Sequence, residues 1–206
     1  MSRYKPLEND TELDAIYGQP AEASLLKVAT RLTPAYRRLL EASPFFALAS
    51  VGAEGLDCSP RGELGGAFVI ADDKTLIIPD RRGNNRIDTL RNIVADPRIA
   101  ALFLIPGSMT TVRLNGLAIV TADAALLESL SRDGKAPRSA IVITINEIYT
   151  QCGRAVIRAG LWDDAHHVDA GALPSVGDVL KERSDGAFDG ESYDANWAAR
   201  AAETMW

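Results

Sequence analysis

From Phe45 to about Asn146 the chain consists of short apolar runs separated by turn residues, and this spacing constrains the fold more than any other feature. The runs cover residues 45–51, 56–60, 67–71 and 75–79, followed by RIAALFLI, TTVRLNGLAIV and AIVITIN. IADDKTLII places an Asp-Asp turn between two β-rich runs, which indicates a hairpin. Six or seven short strands without regular strand–helix alternation predict a mainly β protein with peripheral helices, built on a small antiparallel barrel.

Helical patterns flank this β-rich region. Apolar residues recur at helical spacing over 22–32, and Thr33 followed by Pro34 is typical of a second helix start. EIYTQCGRAVIRAGLW, after the last apolar run, is interpreted as helical, and further helices are predicted near 175–183 and 192–203. The organisation predicted is an N-terminal helical segment over 1–44, a barrel domain over 45–172, and a C-terminal helical tail over 173–206 packed on that domain.

Charge and cysteine content limit the possible partners and compartment. With 22 Lys+Arg against 28 Asp+Glu, the net charge of -6 disfavours a nucleic-acid-binding surface. No apolar run approaches the roughly 18 residues of a membrane span, and the first residues show no signal segment. Cys58 and Cys152 are far apart and form no CxxC, as expected for reduced thiols. We therefore predict a cytoplasmic protein that acts on a small molecule.

One stretch, IPDRRGNNRIDTL, concentrates positive charge in this acidic chain. Asn84 is a plausible helix cap, with Ile87, Leu90 and Val94 following at helical spacing, so Asn84 to Arg86 are predicted in the first helical turn. Free backbone N–H groups there, with a guanidinium, suit a phosphate. Arg61, on an earlier strand, is expected to reach the same anion. The alternative is a solvated turn without a ligand.

The segments SPRGE, DDKTLIIPDRRGNNR and VRLNGLA resemble the pyridoxamine 5′-phosphate oxidase-like, FMN-binding split-barrel family, over about Phe45 to Trp162. The chain is most similar to a branch of flavoproteins that carries SPRG, PDRxGNNR and LRxNG segments. The resemblance implies an antiparallel split β-barrel of six to seven strands. It also implies a homodimer with FMN at the subunit interface.

The resemblance also implies roles for individual residues. Arg61 and Arg86 match basic residues that hold the FMN phosphate, and Asn84 and Asn85 match other contacts on the phosphate side. Arg82 is a further candidate. Cofactor contacts are also implied for Ile77, Ile78 and Pro79, on the strand beside the isoalloxazine ring, and for Thr111, near that ring.

The implied function is flavin-dependent oxidation or reduction of a small molecule, with FMN as the hydride or electron carrier. No residue stands out as a catalytic acid or base. The oxidase's C-terminal substrate-binding segment has no counterpart in GRAVIRAGLWDDAHHVD or in the tail, so the resemblance does not extend to pyridoxamine phosphate as substrate. Two alternatives stay open: a flavin carrier or sensor without turnover, and a split barrel that uses haem or deazaflavin.

Three further signals favour structural interpretations. WDDAHH brings together metal-binding residue types, but adjacent side chains diverge, so a solvated loop is predicted and no metal site. Cys58 lacks a nucleophile motif and is expected on a strand or in the core. Arg158 and Trp162 either cover the flavin of a partner subunit or belong to a packing helix.

Overall fold

The computed structural model describes residues 3–204 and contains one seven-stranded antiparallel sheet. The strands are β1 (Phe45–Gly52), β2 (Gly55–Gly62), β3 (Val69–Ile70), β4 (Thr75–Asp80), β5 (Arg98–Leu104), β6 (Thr111–Thr121) and β7 (Ser139–Gln151). They are hydrogen-bonded in the order β2-β1-β5-β6-β7-β4-β3. The architecture is the split β-barrel that the sequence predicts. No ladder joins β2 to β3 or to β4, so the sheet is open along that line.

Helices lie before, between and after the strands in the chain. They are α1 (Asp10–Tyr17), α2 (Glu22–Leu26), α3 (Pro34–Glu41), α4 (Asp88–Ala95), α5 (Ala124–Ser129), α6 (Arg154–Ala159), α7 (Val176–Arg183), α8 (Gly190–Ala195) and α9 (Trp197–Thr204), with short 3-10 turns at Asp164–His166 and Ala170–Ala172. The predicted start of α3 is confirmed, because Thr33 accepts a hydrogen bond from the Tyr36 N–H and Pro34 is the first helical residue. No helix among residues 3–204 has both the length and the apolar character to cross a membrane.

The barrel interior is filled by side chains from alternating strand positions. Phe46 and Leu48 on β1, and Phe103 on β5, are at most 1% exposed. Phe46 and Phe103 stack at 4.8 Å between ring centroids, and Phe68 meets both rings edge-on. Burial of each such ring contributes about 1.5–3 kcal/mol, so this cluster anchors the fold.

The N-terminal segment contributes to the same core. Leu32, Tyr36 and Leu40 are buried against the barrel. The helix predicted over 22–32 ends early, at Leu26, because the following residues are extended and Ala29 exchanges backbone hydrogen bonds with Ile148 on β7. The backbone N–H and C=O of Ala29 are therefore paired with β7 and not within a helix. Residues 1, 2, 205 and 206 of the predicted terminal segments lie outside the described residues.

The longest strand pair, β6 with β7, corrects one prediction. The segment 147–151 was predicted as helix, but it continues β7 and pairs with β6 from Thr111 to Asn115. A bulge follows, since the register shifts between Asn115 and Gly116. Gly116 is required there because a Cβ would overlap the Thr144 carbonyl oxygen.

Candidate functional site

A cleft of about 640 Å³ lies where the sheet is open, between β2 and β4 and beside the start of α4. Three of its residues, Asp57, Ser59 and Arg61, alternate along β2 and so face the same side of that strand. The opposite wall comes from Ile78 and Pro79 on β4. The remaining lining residues include Ala67, Asp80 to Ile87, Asp88, Thr89, Leu90, Arg138 and Ser139.

Arg61 spans the opening in the sheet. Its Nη1 donates to Asp80 Oδ1 at 2.9 Å, and both side chains are about one-fifth exposed, at 21% and 18%. Its Nε is buried and, among the described residues, is the only buried side-chain nitrogen or oxygen without a hydrogen-bond partner. An unsatisfied buried donor costs about 1–3 kcal/mol, and more when charged. This nitrogen is the strongest sign in the structure that the cleft takes an acceptor.

The loop over 81–87 differs from its prediction. The helix begins at Asp88 and not at Asn84, with Ile87 at the cap position. Asn85 has a φ of 60°, which is left-handed and ends any continuous helix at that point. Asn84 Oδ1 instead accepts from the Arg86 N–H at 2.9 Å, closing a local turn. The predicted residues Asn84, Asn85 and Arg86 do line the cleft, but from a loop.

The cations of the cleft are unequally neutralised. Arg86 is exposed, and its Nε donates to Asp88 at 2.5 Å. This hydrogen bond, with the charges of Asp88 and Asp57, raises the pKa of Arg86 above its ordinary value. The Arg138 side chain donates to the Asn85 side chain at 2.8 Å and forms no ion pair with a described residue. Arg82 has no ion pair or side-chain hydrogen bond with any described residue. Two cations of the cleft, Arg82 and Arg138, are therefore not neutralised by a carboxylate of the described residues.

A hydroxyl chain on the β2 side was not predicted. Thr89, buried in the first turn of α4, donates to Asp57 at 2.6 Å, and Ser59 lies 3.1 Å from the Thr89 hydroxyl. Because the single Thr89 proton goes to Asp57, Ser59 donates to Thr89 and presents its lone pairs elsewhere. The two-residue alternation of Asp57, Ser59 and Arg61 was the signal that could have identified this group.

A buried carboxylate, also missed, fixes two arginines beside the cleft. Glu63, only 6% exposed, pairs with Arg81 at 3.2 Å and with Arg132. Arg81 also donates to the Leu130 carbonyl at 3.0 Å. Gly66 leaves room for this arrangement, since a Cβ there would lie 2.8 Å from Glu63 Oε1.

Two predicted cofactor residues lie away from the cleft. Ile77 alternates with Ile78 on β4 and does not line it. Thr111 lines a separate cavity of about 650 Å³, between α6 and the outer faces of β1, β5 and β6. The walls of that cavity are mostly alanine and leucine, and both cysteines also contribute to it. Cys58 is on a strand as predicted but is exposed rather than in the core.

The residues of WDDAHH form local pairs. His166 lies 3.1 Å from Asp163, and His167 lies 3.4 Å from Asp164, all on the surface. No group of three or more potential metal ligands occurs in the described part of the chain. Trp162 donates its indole N–H to the Ser108 carbonyl at 2.8 Å, which ties the end of α6 to the β5–β6 loop.

The lining of the cleft suits a phosphate ester whose organic part has both hydroxyl groups and an apolar portion. Guanidinium groups from Arg61, Arg82 and Arg138 supply charge-assisted donors. The Ser59–Thr89 hydroxyls suit a polyol, and Ala67, Ile78, Pro79 and Leu90 supply apolar contact. The residues present therefore fit FMN, the cofactor that the sequence resemblance implies.

Comparison with known proteins gives a family match over residues 32–152, to the model described as pyridoxamine 5′-phosphate oxidase. Comparison with curated proteins finds no match. Among solved structures, HupZ from Group A Streptococcus is 20% identical with a TM-score of 0.49, covering 59% of this chain and 94% of HupZ. A candidate pyridoxamine 5′-phosphate oxidase from Lactobacillus delbrueckii is also 20% identical, with a TM-score of 0.49, covering 59% and 95%. An FAD-binding protein from Mycobacterium smegmatis is 14% identical, with a TM-score of 0.41, covering 60% and 97%.

Proposed function

Because this chain belongs to the pyridoxamine 5′-phosphate oxidase family, we propose that it is an FMN-binding flavoprotein that oxidises or reduces a small molecule. In this proposal the FMN phosphate binds in the cleft between β2 and β4. The protein works as a homodimer in the cytoplasm, without a nucleic-acid or membrane partner.

The unpartnered Arg61 Nε is the observation that carries the proposal. A phosphate oxygen that accepts from it removes the cost of a buried, unsatisfied, charged donor. Arg82 and Arg138 bring two further cations to the same cleft, and neither is neutralised by a carboxylate of the described residues. Inorganic counter-ions would satisfy the charge, but the apolar wall of Ile78 and Pro79 favours a ligand with an apolar portion.

FMN, when bound, supplies hydride and electron transfer at its ring. The protein supplies binding, position and electrostatic environment. Asp80 holds the Arg61 guanidinium in place, and Asn85 does the same for Arg138. Asp57 fixes the Thr89 hydroxyl, which in turn orients Ser59. These second contacts limit the side-chain freedom that would otherwise be lost on binding.

The second candidate function is a flavin carrier or sensor without turnover, and one observation favours it. No histidine lines the cleft among the described residues, and each of its carboxylates is engaged: Asp57 with Thr89, Glu63 with two arginines, Asp80 with Arg61 and Asp88 with Arg86. No group is therefore evidently available for proton transfer. Steady-state turnover with a nicotinamide donor and a panel of acceptors separates an enzyme from a carrier.

The homodimer is supported by the outer barrel wall. On β5 and β6 this wall carries Leu102, Leu117 and Ile119, which are 39%, 43% and 62% exposed. The sequence RIAALFLI predicts cover for both faces of β5, and within one chain α6 covers only part of the outer face. A second subunit would bury the rest. Within one chain, Thr111 lines a different cavity from the cleft that would hold the flavin. In a dimer, Thr111 of one subunit could contact the flavin bound in the cleft of the other.

The test of the FMN proposal is a visible spectrum of the purified protein, mass spectrometry of the released ligand, and titration of the apoprotein with FMN and riboflavin. FMN is expected to bind at least tenfold more tightly, because riboflavin lacks the phosphate and leaves the arginines unpaired. Equal dissociation constants would contradict the phosphate site. If the purified protein shows the visible spectrum of haem or of a deazaflavin, that cofactor would be assigned in place of FMN.

A further inference from the structure

A second basic cavity adjoins the cleft. It measures about 220 Å³ and is lined by five cationic residues, Arg81, Arg82, Arg132, Lys135 and Arg138, together with Ala136 and Pro137. We call it the basic pocket. No acidic residue of the described chain lines it. Five cations around so small a volume are unexpected in a chain of net charge -6 unless an anion binds there.

A tight turn builds one wall of the basic pocket. Arg132 and Lys135 exchange two backbone hydrogen bonds, of 3.1 and 2.9 Å. The two residues between them, Asp133 and Gly134, both have positive φ, as a type I′ turn requires. The flanking residues of such a turn are direct cross-strand partners, so the side chains of Arg132 and Lys135 share one face. Like charges directly opposite each other are destabilising, which argues that this pair has a function.

The available carboxylates do not balance this charge. Glu63 pairs with two of the pocket residues, Arg81 and Arg132. The Arg138 side chain donates to the neutral Asn85 side chain and forms no ion pair with a described residue. Lys135 is exposed and, like Arg82, forms no ion pair or side-chain hydrogen bond with a described residue. Arg82, Lys135 and Arg138 therefore contribute positive charge that no carboxylate of the described residues balances, and of these three only Lys135 is absent from the cleft lining.

The basic pocket and the cleft are neighbours. Arg81, Arg82 and Arg138 line both, whereas Arg132 and Lys135 line only the pocket. A ligand that places one anionic group in the cleft can therefore place a second anionic group in the pocket, with the shared arginines between them. Two phosphates joined by an oxygen have this arrangement.

We propose that the basic pocket is a second anion site that takes the second phosphate of a ligand with a diphosphate group. The inference rests on the proposed function for the first phosphate site, in the cleft. It extends that function by naming the ligand class: a dinucleotide, and not only a mononucleotide, binds this region of the protein.

The first test measures dissociation constants for inorganic phosphate and pyrophosphate by calorimetry on the full chain. Pyrophosphate is expected to bind at least tenfold more tightly than phosphate. Lys135→Ala should weaken pyrophosphate about tenfold and leave phosphate within twofold, because one charge-assisted contact is lost. Lys74→Ala is the matched control, since Lys74 is also an exposed lysine in a hairpin turn but lines neither cavity. Equal binding of the two anions, or equal effects of the two variants, would overturn the proposal.

A second set of titrations separates the two sources of a diphosphate. If the source is a flavin dinucleotide, FAD binds the ligand-free protein more tightly than FMN, and Lys135→Ala removes the difference. If the source is a pyridine dinucleotide donor, NADH or NADPH binds the FMN-loaded protein, and Lys135→Ala weakens that binding. Lys135 does not line the cleft, so FMN affinity should be the same in Lys135→Ala and wild type. Wild-type protein that binds pyrophosphate but not FMN would reject the FMN assignment and leave the second anion site standing.

Discussion

At the scale of single residues, Arg61 shows how a side chain can be both fixed and incomplete. Asp80 satisfies one end of its guanidinium, while Nε remains buried without a partner. A residue with only a structural role would be expected to have all its buried donors paired. Arg86, given an equal role by the sequence, is exposed and already paired with Asp88. For the proposed phosphate contact, Arg61 is therefore the stronger candidate of the two.

Arg61→Ala is accordingly expected to weaken FMN binding by about 1.5–3 kcal/mol, or roughly 10- to 100-fold in dissociation constant. Arg61→Lys should recover only part of this loss, because an ammonium keeps the charge but lacks the planar set of donors. The measurement is fluorescence titration of FMN, with circular dichroism to confirm the fold. Arg98→Ala, which removes an arginine outside the cleft, is the control. Equal affinities for Arg61→Ala and the control would reject the assignment.

Much of the residue-scale site could be predicted from the sequence, because Arg61, Arg82, Asn84, Asn85 and Arg86 all line one cleft. The partners of these side chains could not. Glu63 reaches Arg132 across 69 positions of sequence, and Arg138 reaches Asn85 across 53. Only the fold brings such residues together, so neither pair leaves a local pattern to read.

At the scale of elements, strand and hairpin patterns were more reliable than helix starts. The hairpin at IADDKTLII forms as predicted, with Val69 opposite Ile77. The start of α4 was misplaced because asparagine both caps helices and adopts left-handed turns, and here Asn85 does the second. The helix predicted over 147–151 failed because pairing with β6 outweighs local propensity, and Ile148, Tyr149 and Thr150 suit a strand.

The junction between α4 and β5 should lose stability in acid. Arg98 donates to Asp96 from its side chain and its backbone, and these bonds lower the pKa of Asp96 from 3.8 to about 2. A folded-state pKa below the unfolded value stabilises the protein above pH 3.8, and that contribution is lost as the pH falls toward 2. Asp96→Asn should therefore flatten the pH dependence of the melting temperature between pH 4 and 2. The control is Asp14→Asn, which changes a carboxylate of α1 that has no ion pair in the described residues. This variant should keep the pH dependence of the melting temperature seen in the wild type.

At the scale of the whole molecule, the sheet order fits the split barrel of the family, and the two faces of the sheet differ in their exposed apolar surface. The inner faces of β1, β5 and β6 form the core. Their outer faces keep large apolar side chains at the surface, with Leu117 and Ile119 the most exposed on β6. The sequence pattern predicts that β5 is apolar on both faces. Whether a helix of the same chain or a second subunit covers the outer face depends on the tertiary and quaternary structure.

FMN binding and dimerisation are expected to be coupled. If both subunits contact each FMN, the cofactor binds the dimer better than the monomer, and linkage requires FMN to tighten the dimer by the same free energy. Sedimentation velocity over a dilution series should show the FMN-loaded dimer persisting to lower protein concentration than the apo dimer. An FMN-loaded monomer of undiminished affinity would exclude an interface site while leaving the flavin assignment intact.

The open line between β2 and β4 has a consequence for motion. Only side chains cross it, chiefly Arg61 to Asp80 and Glu63 to Arg81, whereas every other strand boundary in the described sheet carries a backbone ladder. Two side-chain ion pairs hold neighbouring strands together with fewer bonds than a backbone ladder does. Local opening is therefore expected along this line first, and the amide hydrogens of β2 should exchange early. A phosphate ligand bound across this line would connect β2 to β4, and this part of the barrel would be more rigid in the ligand-bound protein.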